Sequence, residues 1–333
     1  MNKAAFIMPH YSDGSEKDLQ HLKTAVNSIL EQTDEDWILV LIDNASPSPA
    51  VRPQLEDIAK LSPEKIVLLF NENENIGPGF ARNMGIDYAK KLGCPFVLFM
   101  DNDDISDKRR LEVVRKTFDE MPDANVVYST FITIDQNGDF IPDNLNFPNV
   151  LEIIEGHRTD PVEGENAWIK IAAEKNYTNL TSSTAVRTEL AYKEKFPNCR
   201  VSEDTHTWLR YGAHKGKFVY KSEIPTLYRN KITLSSKMLT RDWDEEFYRQ
   251  KAAADTDGFM EAMKIALGNG NISNEDVPLI TVKFRLRLAL SMNNGRHLGF
   301  AKEQIAQAQK ISKELTQELV NETKSFDSLK HLL

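Results

Sequence analysis

Cysteine is scarce in this 333-residue chain. Only Cys94 and Cys199 are present, too few for a disulfide framework and in keeping with a reducing cytosol. Long hydrophobic runs are missing as well: no uncharged apolar stretch reaches the roughly 18 residues that a membrane-spanning helix needs, so no span is expected. Lys3 and the short apolar segment 4–8 before Pro9 are too brief for a signal-peptide core and read as a buried strand. The Asn-x-Ser/Thr triplets at Asn176, Asn179, Asn271 and Asn321 then carry no weight, because glycosylation requires secretion. Positive charge is in the minority, with 41 Lys and Arg against 50 Asp and Glu and a net charge of −9. That balance excludes nucleic acid as an expected partner, since phosphate affinity depends on clustered cations. No Gly-x-Gly-x-x-Gly follows the first apolar run, where Pro9-His10-Tyr11-Ser12-Asp13-Gly14 stands instead. Its absence counts against a dinucleotide oxidoreductase. The same segment lacks the Gly-rich basic loop a nucleotidyltransferase would need there.

What is present is ordinary globular composition, 41% hydrophobic and 27% charged. A compact chain of this size buries roughly three-quarters of its unfolded surface. From residue 1 to about 130, short apolar runs at 4–8, 37–42, 66–70, 96–100 and 126–131 alternate with helical patterns. Leu19, Leu22, Val26, Ile29 and Leu30 form the first helical stripe, and further helices are expected over 49–61 and 80–92. This alternation is the signature of crossover units and predicts an α/β fold with a mostly parallel sheet flanked by helices. Between 135 and 180 the pattern weakens to a hairpin at Gln136-Asn137-Gly138-Asp139 and irregular loops. Strand signals return at 181–187 and 217–220, with a helix from Ser202 between them, and the chain after about 240 reads as helices.

In open parallel sheets ligands collect outside the carboxyl ends of the strands. Asp101-Asn102-Asp103-Asp104 follows the apolar Val97-Leu98-Phe99-Met100 at such an end. Hard cations such as Mg²⁺ and Mn²⁺ take oxygen ligands and share them with phosphates, so the cluster suits a metal-bound diphosphate. It equally suits a turn and a cap for a helix over 106–121. The loop Asn75-Ile76-Gly77-Pro78-Gly79 opens either an anion-binding helix start, with Arg82 on phosphate or on the acidic loop, or a plain Gly-Pro turn. Ser202-Glu203-Asp204 places two acids at a helix start. They serve either the helix dipole, with Ser202 as cap, or proton abstraction from an attacking hydroxyl. His206 and His214 are weak metal signals. In the tail, Lys283, Arg285 and Arg287 describe either a surface facing anionic lipid or an ordinary packing helix. Ile305, Ala308, Ile311, Leu315 and Leu319 suggest a homodimer seam through the C-terminal helices.

Taken together, these segments resemble the family 2 glycosyltransferases of GT-A fold. Phe6-Ile7-Met8-Pro9-His10-Tyr11 is similar to their opening strand and Leu41-Ile42-Asp43-Asn44-Ala45-Ser46 to their second strand and nucleotide loop. Asn75-Ile76-Gly77 through Ala81-Arg82-Asn83-Met84-Gly85-Ile86 is similar to their loop and helix. Phe99-Met100-Asp101-Asn102-Asp103-Asp104 matches their Asp-x-Asp motif, and Ser202-Glu203-Asp204 through Trp208-Leu209-Arg210 their Glu-Asp helix. The resemblance covers about residues 3 to 235. It implies a catalytic domain over 1–235, with a nucleotide-binding half at 1–105 and an acceptor half at 106–235, and a helical C-terminal extension over 236–333. It also implies nucleotide contacts from Pro9, Tyr11, Asp43, Asn75, Gly77, Arg82, Asp101 and Asn102, and a Mn²⁺ or Mg²⁺ held by Asp103 and Asp101. Asp204 would be the general base beside Glu203, and Ser182 and Ser183, on the strand before Arg187, would border the acceptor. The activity implied is inverting transfer of a sugar from a nucleoside diphosphate, usually UDP, to a saccharide or lipid-linked saccharide in surface polysaccharide synthesis. The resemblance then implies a cytoplasmic protein, with peripheral contact at the inner face of the membrane as a further expectation. Two positions depart from the family pattern: Ser12 stands where Asn is common, and Asn230-Lys231 where a His or basic loop often follows Tyr228-Arg229. A non-catalytic carbohydrate-binding or scaffold protein on the same fold is the competing reading, because fold alone does not fix function.

Overall fold

The structure is a computed structural model that describes residues 3–175, 178–230 and 245–333. Asn176, Lys231 and the expected domain boundary at 235/236 lie outside these residues. Among the described residues the chain builds one seven-stranded sheet in the order β3-β2-β1-β4-β6-β5-β7. The strands are β1 Ala4–His10, β2 Trp37–Asp43, β3 Ile66–Phe70, β4 Phe96–Phe99, β5 Ala124–Ile134, β6 Thr184–Arg187 and β7 Lys217–Arg229. All run parallel except β6, which is antiparallel to both β4 and β5. The first four are joined by α1 Glu16–Leu30, α2 Val51–Ala59 and α3 Pro78–Lys91, as the alternation of apolar runs and helical stripes predicts. The later helices are α4 Arg110–Glu120, α5 Pro148–Thr159, the single turn α6 Ala167–Ile169, α7 Thr188–Lys193 and α8 Glu203–Ala213. The last four are α9 Glu245–Asn269, α10 Val277–Asn294, α11 Leu298–Ile311 and α12 Lys313–Glu322.

Helices cover both faces of the sheet, which is why its strands are continuously apolar rather than alternating. Side chains along β1 divide strictly by parity. Ala4, Phe6 and Met8 enter a core with Leu22, Val26 and Ile29 of α1, Leu55 of α2 and Leu111 of α4. Ala5 and Ile7 enter a second core with Ala81 and Ile86 of α3, Trp208 of α8, Phe259 of α9 and Phe284 of α10. The C-terminal helices are therefore continuous with the core beside the sheet, and the Phe259 and Phe284 rings stack at 4.0 Å.

Two expectations need correction, and two open readings of the tail are resolved. Residues 148–159, expected as irregular loop, form α5, whose one buried face includes Ile154 and His157. The His157 ring packs against Tyr128, Phe131 and Tyr220, so tertiary burial rather than a strong local pattern makes this helix. The segment at 279–288, whose alternating apolar residues fit helix or strand, is helical, as expected for the chain after about 240. Ile280, Phe284 and Leu288 face the sheet-side core while Val282, Leu286 and Ala289 face a third core of α10, α11 and α12, and two interleaved helical stripes mimic a period of two. The stripe expected as a dimer seam folds inward. Ile305 and Ala308 belong to the third core, and Leu315 and Leu319 pack on it. Ser312 breaks the helix and caps α12 by accepting the Leu315 N–H, so no continuous stripe survives. Arg285 donates to Thr256 and Gln304, and Arg287 to the Glu174 carbonyl, so two of the three cations of the proposed lipid-facing run are engaged within the chain. Among the described residues no helix is long and apolar enough to cross a membrane.

Candidate active site

Parallel pairing delivers the ends of β1, β2 and β4 to one edge, where their loops meet. The Asn44 N–H donates to the His10 carbonyl at 2.8 Å. The Ser12 N–H donates to Ser46 Oγ at 3.1 Å, and the Ser46 N–H to Asp43 Oδ1 at 3.2 Å. Pro9 is buried in β1 opposite Ile42, whereas Tyr11 is exposed at the rim. The buried Asn44 amide donates to Asn75 Oδ1 and to the Gly77 carbonyl, each at 3.0 Å, and so ties the loop after β2 to the start of α3. Gly77 is required there. Its φ is 118°, and a Cβ would lie 2.8 Å from the Cys199 carbonyl oxygen.

At the end of β4, Asp101 donates its N–H to Ser182 Oγ at 3.0 Å, and Asn102 Nδ2 donates to His10 Nδ1 at 2.7 Å. Burial lowers the His10 pKa, which keeps the ring neutral and able to accept. Asp104 is fully enclosed. Its Oδ1 accepts the Arg229 N–H at 2.8 Å, and burial together with Asp103 and Asp101 pushes its carboxyl well above the ordinary range. Arg229 also donates from Nε to the Asp103 carbonyl and from Nη1 to that of Asp135, both at 2.8 Å, anchoring the acidic loop to β7. Beneath it Arg110 is wholly buried and donates to the carbonyls of Phe99 and Thr184, and burial pulls its pKa down to about 9. Sequence reasoning did not single out Arg110, placed Asp104 in the acidic cluster without a role of its own, and gave Arg229 none. An Arg in an apolar helical stripe after an acidic cluster was the available signal. Ser182 and Ser183 lie in a 3₁₀ turn before β6 rather than on the strand, and both are buried, with Ser183 Oγ donating to the Leu180 carbonyl. The structure thus places them under the acidic loop.

Arg82 joins the two acidic segments. Its side chain, 4% exposed, donates from Nη2 to Asp101 Oδ1 at 2.7 Å and from Nη1 to Glu203 Oε1 at 2.9 Å. Asp101 and Glu203, far apart in sequence, therefore share one guanidinium. Gly79 lets α3 pack closely on the segment that precedes α8, since a Cβ there would stand 3.0 Å from Phe196 Cβ and 3.1 Å from the Pro197 carbonyl oxygen. Burial and the adjacent Asp204 raise the Glu203 pKa to about 7, against the opposing pull of Arg82. Burial also raises that of Asp204, whose Oδ1 accepts the Thr205 N–H at 2.7 Å. Ser202 does not cap α8 as expected. It adopts a left-handed conformation and its Oγ donates to Asp255 of α9. His206 accepts from Arg210, and its pKa falls to about 4 through burial and the Arg210 charge, while His214 pairs with Glu194 at 2.9 Å. Among the described residues no group of three or more His, Cys, Asp or Glu is arranged to hold a metal. Asp101, with 32% of its side chain exposed, and the half-buried Asp103 are nevertheless hard oxygen donors at an open strand end. They fit a cation whose other ligands come from diphosphate and water.

A sheet of this order, with phosphate-compatible loops and paired acids across its carboxyl edge, is the GT-A fold of nucleotide-sugar transferases. Residues 6–181, more than half of the chain, match the family described as glycosyl transferase family 2, and the chain belongs to that family. It is 25% identical over 214 residues to an uncharacterized glycosyltransferase of Methanocaldococcus jannaschii, covering 63% of this chain and 66% of that protein. Over 105 residues it is 34% identical to the succinoglycan biosynthesis protein ExoW of Rhizobium meliloti, covering 32% of this chain and 30% of ExoW. The matches thus span just under two-thirds of the first relative and less than a third of the second. Among solved structures, S. aureus TarS 1-349 in complex with UDP superposes with a TM-score of 0.54 at 15% identity over 96% of this chain and 91% of that one. The mannosyltransferase PcManGT from Pyrobaculum calidifontis, in complex with GDP-Man and Mn²⁺, gives 0.55 at 14% identity over 99% and 84%. Likeness at these identities concerns the fold.

Proposed function

We propose that the chain transfers a hexose, with inversion, from a UDP-sugar to a hydroxyl of a saccharide or lipid-linked saccharide during surface glycan synthesis. The observation that supports this reading is the Arg82 bridge, which brings Asp101 and Glu203, and with it the adjacent Asp204, close together. Donor contacts are assigned to the loops at Tyr11, Asp43, Asn75, Gly77 and Asn102, with Pro9 shaping the first of them and Arg82 orienting Asp101. TarS complexes with UDP and UDP-GlcNAc favour uracil as the base, and the PcManGT complex favours Mn²⁺ as the cation. Asp103 and Asp101 would hold that cation, which as a Lewis acid offsets the negative charge on a departing diphosphate. Asp204 accepts the proton of the attacking hydroxyl, and its enclosed site keeps the carboxylate basic enough for that task. Glu203 keeps Arg82 in place. The two free cysteines suit a reducing, cytoplasmic setting.

The test is release of UDP from UDP-glucose, UDP-galactose and UDP-N-acetylglucosamine with Mn²⁺. A transferase releases UDP from at least one of them, and a non-catalytic carbohydrate-binding protein from none. Asp103→Ala should raise the Mn²⁺ concentration needed for half-maximal rate and weaken donor binding. An unchanged Mn²⁺ titration removes Asp103 from the metal role.

A further inference from the structure

The helix that carries the candidate base is held by the C-terminal helix α9 at three successive places. Ser202, immediately before α8, has a φ of +62°, a conformation that a non-glycine residue keeps only when its surroundings hold it. Its hydroxyl makes no bond to the N–H groups of α8. Instead it donates to Asp255 Oδ1 at 2.5 Å, and Lys251, one turn earlier on α9, donates to Asp255 Oδ2 at 2.6 Å. Asp255 is 4% exposed, so this carboxylate is enclosed at the N-terminus of α8, where a negative charge is favoured by the helix dipole. One turn along, Gly258 meets His206 so closely that a Cβ would lie 2.7 Å from His206 Cα. A turn further, Arg210 pairs with Glu261 at 3.3 Å. The two helices therefore run side by side in the same direction, and Asp255 stands at the rung nearest Asp204.

We propose that Asp255, with Lys251, is a positioning residue for the transfer step: by holding Ser202 in its left-handed conformation, α9 fixes the direction in which Asp204 enters the cleft. The inference rests on Asp204 acting as the general base. The charged groups around Asp204 are Glu203 beside it, Arg82 of α3, and Lys251 and Asp255 of α9. Of these, Arg82 lies within residues 6–181, the span that matches the family, Glu203 lies beyond it on α8 itself, and Lys251 and Asp255 come from α9 of the C-terminal helices. The C-terminal helices thus supply part of the working geometry rather than an appendage to it.

The test uses the full-length protein with Asp255→Asn, Ser202→Ala and Lys251→Met, each alone and combined with Asp204→Asn. Turnover is followed with whichever of the three UDP-sugars the wild type consumes fastest, and donor binding with UDP and Mn²⁺. The expected result is at least a tenfold fall in kcat for each single variant, with the UDP Kd and donor KM within twofold of wild type. Combining Asp255→Asn with Asp204→Asn should cost no more than Asp204→Asn alone, because one residue acts through the other. Single variants with kcat within twofold of wild type, or losses that multiply in the double variant, overturn the inference. Should Asp255→Asn not fold, Lys251→Met, which alters a partly exposed side chain, carries the same two outcomes. Wild-type activity in Asp204→Asn would instead bring down the general-base assignment, a failure distinct from an inactive Asp204→Asn beside fully active α9 variants.

Discussion

Replacing Arg82 by Met removes the charge shared by Asp101 and Glu203 while keeping much of the packing volume. Both pairs are short, at 2.7 and 2.9 Å, and the Arg82 side chain is 4% exposed, so solvent cannot replace it. Breaking a buried ion pair from one side costs about 3–5 kcal/mol. The 32% exposure of Asp101 favours the lower end, about 3 kcal/mol. At about 2 cal/mol/K of unfolding entropy per residue over 333 residues, that loss lowers Tm by about 4 °C. The loss should also depend on pH. Without the guanidinium, Glu203 can relieve the repulsion by binding a proton, so the deficit is larger at pH 8 than at pH 5.5. Thermal unfolding by circular dichroism at the two pH values measures both effects, and Arg82→Lys should recover only part, because an ammonium cannot fork to two carboxylates. A Tm within 1 °C of wild type at pH 8, or an equal deficit at both pH values, would refute the argument that this bridge joins the two halves of the site.

Other expectations follow from the same geometry. The folded-state pKa of Glu203, about 7, lies above its ordinary 4.5, so the folded protein binds the extra proton and this group's contribution to stability is lost as pH rises from 4.5 through 7. Glu203→Gln should flatten that part of the stability profile in urea titrations, and an unchanged slope contradicts the assignment. Gly258→Ala forces a Cβ against the His206 backbone and should destabilise by about 1–3 kcal/mol, read as a lower urea midpoint with unchanged m. An unchanged midpoint would mean that α8 and α9 are not packed this closely. The Cys199 thiol, raised to about 11 by burial and by Glu203, should alkylate slowly at pH 7.5 until the protein is denatured. Rapid modification of the native protein at Cys199 would speak against that environment.

The parallel half of the sheet was legible because strands buried on both faces leave continuous apolar runs, and the observed β1 to β4 agree with the expected runs to within two residues at either end. The acidic motifs were legible as types and order, and Arg82 was named as a candidate partner of the acidic loop. That one guanidinium also spans to Glu203 was not legible, since the two lie 121 positions apart and meet only through tertiary packing. Polar residues that work from inside, such as Arg110 and Asp104, look in sequence like surface charges, and only enclosure distinguishes them. The irregular region at 135–180 failed for a related reason. Gly156 and the mixed composition of α5 give a weak helical stripe, and the aromatic cage around His157 decides the outcome. Ser202 was mistaken for a cap because its neighbours fit that pattern, while its partner, Asp255, lies 53 positions away.

The account stands or falls on Asp204 acting across the cleft from the Asp101 loop. The most direct measurement compares wild type and Asp204→Asn for UDP binding by calorimetry with Mn²⁺ and for UDP release from the preferred UDP-sugar. The expected result is an unchanged Kd for UDP and a loss of turnover of at least a hundredfold, as for removal of a general base. Near-normal turnover in Asp204→Asn, or loss of turnover only in proportion to lost UDP binding, would contradict it.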